Sequence, residues 1–240
     1  MLCIGHRGAR GYAPENTIKS VRKALELGAL WVEVDVYYVD NHLVVIHDET
    51  LGRTTNGKGY LADKSFSYLK SLDAGEGERI PTLEEILDSI WKKAAINIEL
   101  KGPDTARPVI ELLHKRITPE WGAENFLLSS FKHQNLYEVR ELDGSIPIGV
   151  LLDGRSKNYP KIAQELNACS VNQNIHFVNK DFVMDAHKRG LKVYVYTVNK
   201  IDDIKRMMAM GVDGVFTDYP DRVLKLVQKA SQGKETCPEL

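Results

Sequence analysis

Four short segments of the 240-residue chain carry side chains suited to chemistry: His6-Arg7-Gly8, Glu33-Val34-Asp35, His47-Asp48 and Glu99-Leu100-Lys101. Glu33 and Asp35 stand two apart in an apolar run from Trp31 to Val39, so on an extended strand both carboxylates point the same way. Burying like charges on one face is costly unless something compensates them. A divalent cation is the natural compensation, and with Glu99 the three carboxylates offer hard oxygen ligands for Mg²⁺ or Ca²⁺. His6 and His47 suit general acid and base work near neutral pH. Arg7, followed by Gly8 and Gly11, puts a fixed positive charge on a pliable backbone, which suits a phosphate. Lys101 shares a strand face with Glu99 and either pairs with it or meets an anionic substrate.

Each feature alone has a plainer reading. A single histidine at a strand end is commonly hydrogen-bonded structure, Glu33 and Asp35 could form the wet face of an edge strand, and Glu99 with Lys101 could be a structural ion pair. The Gly8 to Gly11 spacing matches neither of the nucleotide-binding glycine fingerprints. Coincidence shifts the balance. Two histidines, three carboxylates, an arginine and a lysine all fall at the ends of expected strands, while little else in those strands is charged.

The elements that must position these groups follow an α/β pattern, in which short β-branched runs alternate with segments of helical period. Strands are expected near Leu2–His6, Trp31–Tyr38, Leu43–His47, Ile96–Leu100, Phe126–Ser130, Ile148–Leu152, Cys169–Asn172, Lys192–Thr197 and Gly214–Thr217. The tight Asp40-Asn41 turn can join only antiparallel neighbours, so Leu43–His47 is a hairpin partner. It folds back to bring His47 near Glu33 and Asp35. The other strands can all be parallel, and the chain length is close to the roughly 250 residues of a (β/α)₈ barrel. In that fold the C-terminal strand ends form the catalytic face. Asn16-Thr17 and the Thr82/Glu85 capping box mark helix starts, and Gly28, Gly190 and Gly211 mark helix ends feeding strands.

The expected organisation is one catalytic barrel domain over residues 1–229, interrupted by an insertion at about 48–79, with a polar tail over 230–240. A net charge of −1 gives no general attraction to nucleic acid or anionic membranes. The three cysteines form no C-x-x-C pair, and Cys3 and Cys169 lie in apolar strand-like runs, consistent with a reduced, cytoplasmic protein. Nothing approaches a membrane span, so the expected partner is a small molecule, with no stable membrane association. Oligomeric state is not legible. Trp31, Trp91 and Trp121 read as packing or rim residues, Trp121 within a loop, and the remaining histidines as surface or loop residues.

Taken in order along the chain, these segments resemble the glycerophosphodiester phosphodiesterase family. His6-Arg7-Gly8 with Pro14-Glu15-Asn16-Thr17, Glu33-x-Asp35, His47-Asp48 and Ile98-Glu99-Leu100-Lys101 are similar to its successive signatures. Tyr196-Thr197-Val198-Asn199, Gly211-Val212-Asp213-Gly214 and Thr217-Asp218-Tyr219-Pro220 are similar to its closing motifs. The resemblance implies His6 and His47 as the acid/base pair, Glu33, Asp35 and Glu99 as metal ligands, and Arg7 and Lys101 as phosphate contacts. It implies metal-dependent hydrolysis of a glycerophosphodiester to an alcohol and sn-glycerol 3-phosphate. Tyr196 departs from the tryptophan common there, which bears on substrate preference more than on chemistry. The alternative is lysophospholipase D-type hydrolysis, for which Tyr60, Leu61, Phe66, Tyr68 and Leu69 offer a small apolar lid. A glycoside hydrolase would leave both histidines and the metal unexplained. A metal-stabilised binding barrel would give no reason for an acid/base pair.

Overall fold

The computed structural model describes residues 1–155 and 158–232. Its strands are β1 (Leu2–Gly5), β2 (Trp31–Val39), β3 (His42–Val45), β4 (Ala95–Leu100), β5 (Phe126–Ser130), β6 (Ile148–Leu152), β7 (Ser170–Asn174), β8 (Lys192–Tyr196) and β9 (Gly214–Thr217). All except β3 pair in parallel, and β1 closes the ring by pairing with both β2 and β9. The fold is a (β/α)₈ barrel with one extra strand outside the ring. Asp40 and Asn41 both take the left-handed backbone conformation, with φ of 47° and 61°, as a tight hairpin turn requires. β3 therefore returns antiparallel along β2, with Val36 opposite Val45. Pairing continues one step further, where the Ile46 N–H donates to the Asp35 carbonyl, and this delivers His47 to the end of the ring where Glu33, Asp35 and Glu99 lie.

The helices are α1 (Ile18–Glu26), α2 (Phe66–Ser71), α3 (Leu83–Ile90), α4 (Ala106–Arg116), α5 (His133–Leu142), α6 (Tyr159–Glu165), α7 (Lys180–Lys188), α8 (Ile201–Met210) and α9 (Pro220–Gln232). Thr17 caps α1 by accepting from the Ser20 N–H, and Thr82 and Glu85 form the capping box of α3. Gly28, Gly190 and Gly211 all have positive φ just past helix ends, so the repeated helix–glycine–strand joint is real. Most of the core lies between the ring and its helices, where β2, β4 and β5 meet the apolar faces of α3 and α4. Inside the ring, Ile4, Leu127, Tyr194 and Phe216 form a separate apolar cluster.

Some sequence expectations hold and others need correcting. Trp121, expected as a packing or rim residue in a loop, lies in the connection between α4 and β5 and packs: it is 2% exposed, donates its indole N–H to the Ala94 carbonyl, and meets Trp91 and Phe126 edge-on. Truncating such a side chain to alanine costs about 3–5 kcal/mol. Cys169 sits just ahead of β7 and is exposed, because the strand begins one residue later. His114 and His187 are surface residues as expected, exposed on α4 and α7, and His133 is half-buried at the start of α5. The 48–79 segment folds around its own small core, in which Leu51, Leu61, Leu69 and Leu72 pack with Ile46 and Ile80. Leu61 and Leu69 are therefore spent on packing, while Tyr60 and Tyr68 stay exposed and Phe66 is partly buried against the same core. At the other end α9 continues to Gln232, and the rest of the expected tail, with Cys237, lies outside the described residues.

Candidate active site

The site begins at the sharp turn after β1. Arg7 and Gly8 both have positive φ, 51° and 81°, and a side chain at Gly8 would strike the backbone of Ser20 on α1. That turn aims the Arg7 backbone N–H at Glu33 Oε2, 2.8 Å away. The Arg7 guanidinium donates to Glu15 Oε1 at 2.6 Å and lies 3.2 Å from Asp35 Oδ2. Asn16, also left-handed, donates to Asp35 Oδ2 and accepts from the Asp35 N–H, so it serves the site while its neighbour Thr17 caps the helix.

β2 and β4 are in register with Asp35 directly opposite Glu99, and Glu33 lies one inward-facing step below. The three carboxylates each present an oxygen within 4.8 Å of the others, and all three are buried. Lys101 Nζ donates to Glu99 Oε1 at 2.8 Å and lies 3.6 Å from Asp35 Oδ1. Three buried negative charges thus face two cations. Burial, and then Asp35, push the Glu99 carboxyl up to about 7. Burial and the same neighbour push Glu33 well above the carboxylate range. Burial also acts on Asp35, but Arg7 and Lys101 outweigh it and hold this carboxyl below its usual value. Asp35 Oδ1 accepts no hydrogen bond although it is buried. A hard-oxygen donor set with excess negative charge and an unpartnered oxygen fits a divalent cation.

Each histidine is held by an aspartate. His6 Nδ1 is 2.7 Å from Asp218 Oδ1, and Asp218 Oδ2 accepts from Asn199 Nδ2 at 2.7 Å. His47 Nδ1 is 2.5 Å from Asp48 Oδ1, while its Nε2 accepts from Lys101 Nζ at 3.2 Å. Because an ionised carboxylate only accepts, both imidazoles donate through Nδ1–H and present Nε2 toward the site. Burial holds both rings below the ordinary imidazole value, against the pull of their aspartates.

All seven residues singled out from sequence, His6, Arg7, Glu33, Asp35, His47, Glu99 and Lys101, lie at this one end of the ring. Asp218, Asn199, Asp48, Glu15 and Asn16 escaped assignment. Each lies inside a quoted motif, but the His6–Asp218 bond spans 212 residues and exists only because β9 closes against β1.

A cavity of about 280 Å³ opens above Glu33 and Glu99 between the two histidines, with a wall of Phe131, Leu151, Tyr196 and Phe216. Beside it, across Phe131, a hollow of about 430 Å³ is lined by Lys101, Lys132 and Asp48. A cluster of three carboxylates flanked by two oriented imidazoles and two cationic side chains, at the floor of a half-apolar pocket, is equipped to bind an anion and move protons on either side of it.

The sequence model of the Glycerophosphoryl diester phosphodiesterase family matches residues 6–222. A glycerophosphodiester phosphodiesterase of Caldanaerobacter subterraneus is 39% identical over 238 residues, covering 95% of this chain and 98% of its own. One from Bacillus subtilis is 34% identical, covering 92% of this chain and 84% of its own. Among solved structures, an Oleispira antarctica phosphodiesterase in complex with the product sn-glycerol-3-phosphate superposes with a TM-score of 0.90 at 29% identity, covering 95% of this chain and 97% of its own.

Proposed function

Since this chain belongs to the glycerophosphoryl diester phosphodiesterase family, and is an enzyme of that activity, we propose that Glu33, Asp35 and Glu99 hold a divalent cation, Mg²⁺ or Ca²⁺, and that His6 and His47 are its acid/base pair. The observation that carries this reading is the convergence of three buried carboxylates with two aspartate-held imidazoles on one cavity floor. When bound, such a cation supplies Lewis-acid polarisation of a phosphoryl oxygen.

The chain's own groups do the rest. Arg7 and Lys101 flank the carboxylates and neutralise the phosphodiester monoanion, together with the charge that grows on it as the phosphorus–oxygen bond is exchanged. One imidazole, through its Nε2, takes a proton from the attacking oxygen, either water or a hydroxyl of the substrate's glycerol. The other, protonated, gives its proton to the departing alkoxide. Asp48 and Asp218 hold the two rings in the tautomer that this requires and stabilise the imidazolium form as it appears. The apolar wall of Phe131, Leu151 and Tyr196 excludes water from one side of the phosphate and strengthens each charge interaction at its base. The net reaction adds one water across the diester and yields an alcohol and sn-glycerol 3-phosphate.

The direct test is release of glycerol 3-phosphate from glycerophosphocholine and glycerophosphoethanolamine, with and without EDTA, and with Mg²⁺ or Ca²⁺ restored. Release that stops with EDTA and returns with either ion is the expected result. Release unaffected by exhaustive chelation would overturn the metal assignment, and no release under any ion would overturn the substrate reading.

A further inference from the structure

Arg53 stands outside the cavity, in the 48–79 insertion, yet its guanidinium uses both of its forks on carboxylates that serve the site. Nε and Nη2 donate to the two oxygens of Asp48, the residue holding His47. Nη1 and Nη2 donate to the two oxygens of Glu15, at 3.0 and 2.7 Å. Glu15 Oε1 also accepts from Arg7 at 2.6 Å. An unbroken chain of charged hydrogen bonds therefore runs Arg7–Glu15–Arg53–Asp48–His47. We infer that Arg53 is a positioning residue, which fixes the phosphate-facing Arg7 and the imidazole of His47 relative to each other through its two carboxylate partners.

Exposed ion pairs as a class contribute little, and Arg53 is 44% exposed, so stability alone is a poor reason for this arrangement. Geometry is a better one. A guanidinium can engage two carboxylates by two forks in one plane, whereas an ammonium cannot. Glu15 itself is half-buried, and although burial acts against it, Arg53 and Arg7 hold its carboxyl down at about 2. The insertion is also built to hold Arg53 still. Leu51 is fully buried, the Thr55 hydroxyl donates back to the Leu51 carbonyl, and Asn56 is tied to Asp73 by reciprocal bonds. The other histidine lacks such a clamp: Arg10 lies 3.6 Å from Asp218 and 3.7 Å from Glu15 without hydrogen-bonding either. There the neutral amide of Asn199 does the holding.

The inference rests on the proposed roles of Arg7 and His47, and its test separates the two. Arg53→Gln, Arg53→Lys and the matched control Arg10→Gln are compared by kcat and KM on glycerophosphocholine, by thermal unfolding, and by the ¹⁵N-edited NMR signals of the histidine rings. Both Arg53 variants are expected to lose kcat by about 10²-fold, the scale of a 1 Å misplacement. Arg10→Gln should lose less than about fivefold. In Arg53→Gln the Nδ1–H signal of His47 should move while that of His6 stays. Wild-type kcat in Arg53→Gln, wild-type kcat in Arg53→Lys, or an unmoved His47 signal in a folded Arg53→Gln protein would each overturn the positioning role. A wild-type protein inactive on the diester would instead overturn the catalytic reading, and the His47 signal would still decide whether Arg53 holds the ring.

Discussion

The ring divides into two arcs built from the same strand–helix unit. From β9 through β1, β2 and β4, with the hairpin strand β3 alongside, the residues lining the cavity include charged ones; from β5 through β8 they are the uncharged Ser129, Phe131, Leu151 and Tyr196. The buried charged side chains among the described residues, Arg7, Glu33, Asp35 and Glu99, all lie in the first arc. The second arc bonds its buried polar groups to neutral partners, such as Asn97 to Ser129 across the boundary and Ser170 to Asn172 within it, leaving Asn172 Nδ2 without a partner. Backbone geometry does not separate the arcs, so the fold does not decide where chemistry sits. Electrostatics does. Buried charge survives only where partners or an ion compensate it, and that confines the reacting centre to one side. The other side is left free to be a wall that shapes the pocket and excludes water.

The largest effect expected from breaking the first arc is loss of a proton-transfer group. His6→Ala and His47→Ala should each lower the rate by about 10²-fold or more, with divalent-ion affinity by calorimetry largely unchanged. Full activity in either variant would remove the acid/base assignment and with it the functional meaning of the charged arc.

The two arcs also differed in how well they could be read. Glu33, Asp35 and Glu99 were conspicuous because carboxylates in β-branched runs have few structural explanations. The Asp40-Asn41 turn was enough to place β3 outside the ring and return His47 to the site. Phe131 and Leu151 looked like any core residue, since an apolar side chain at a strand end gives no sign of whether it faces a helix or a pocket, and Tyr196 was marked as a pocket residue only by the family resemblance. Asp218 and Glu15 were hidden for another reason: their partners lie on strands or loops joined only by barrel closure or by the insertion.

A next effect concerns stability. Glu33→Gln should depress activity strongly, yet the metal-free protein should unfold at no lower temperature than wild type, because the change relieves repulsion among like charges at a buried site. A clear drop in the metal-free melting temperature would mean that the carboxylates stabilise the fold even without an ion.

The pH dependence sharpens the same point. Glu99 has a folded-state value of about 7 against an ordinary 4.5, so folding takes up a proton there. Its contribution to stability is complete below pH 4.5 and disappears as pH rises through about 7. Thermal scans in EDTA should therefore show stability falling across that window, with the fall reduced in Glu99→Gln and by added Mg²⁺ or Ca²⁺. An identical slope in Glu99→Gln would exclude this carboxylate as the source. Glu15 carries the opposite sign: its value of about 2 makes its contribution full above 4.5 and lost only as pH falls through about 2.

The smallest effect belongs to the uncharged arc. Tyr196 donates its hydroxyl to the Leu152 carbonyl at 2.6 Å and meets Phe131 edge-on at 5.7 Å, so its ring is fixed as part of the pocket wall. Tyr196→Phe removes one hydrogen bond, worth about 1 kcal/mol, and leaves the ring. It should change KM for glycerophosphocholine by less than tenfold with kcat nearly intact. Tyr196→Ala removes the wall itself and should raise KM by roughly 10-fold or more, unequally for choline and ethanolamine diesters if their alcohol arm lies against it. A variant that loses kcat and leaves KM alone would place Tyr196 among the reacting groups, and the division between a charged arc that reacts and an uncharged arc that shapes would fail.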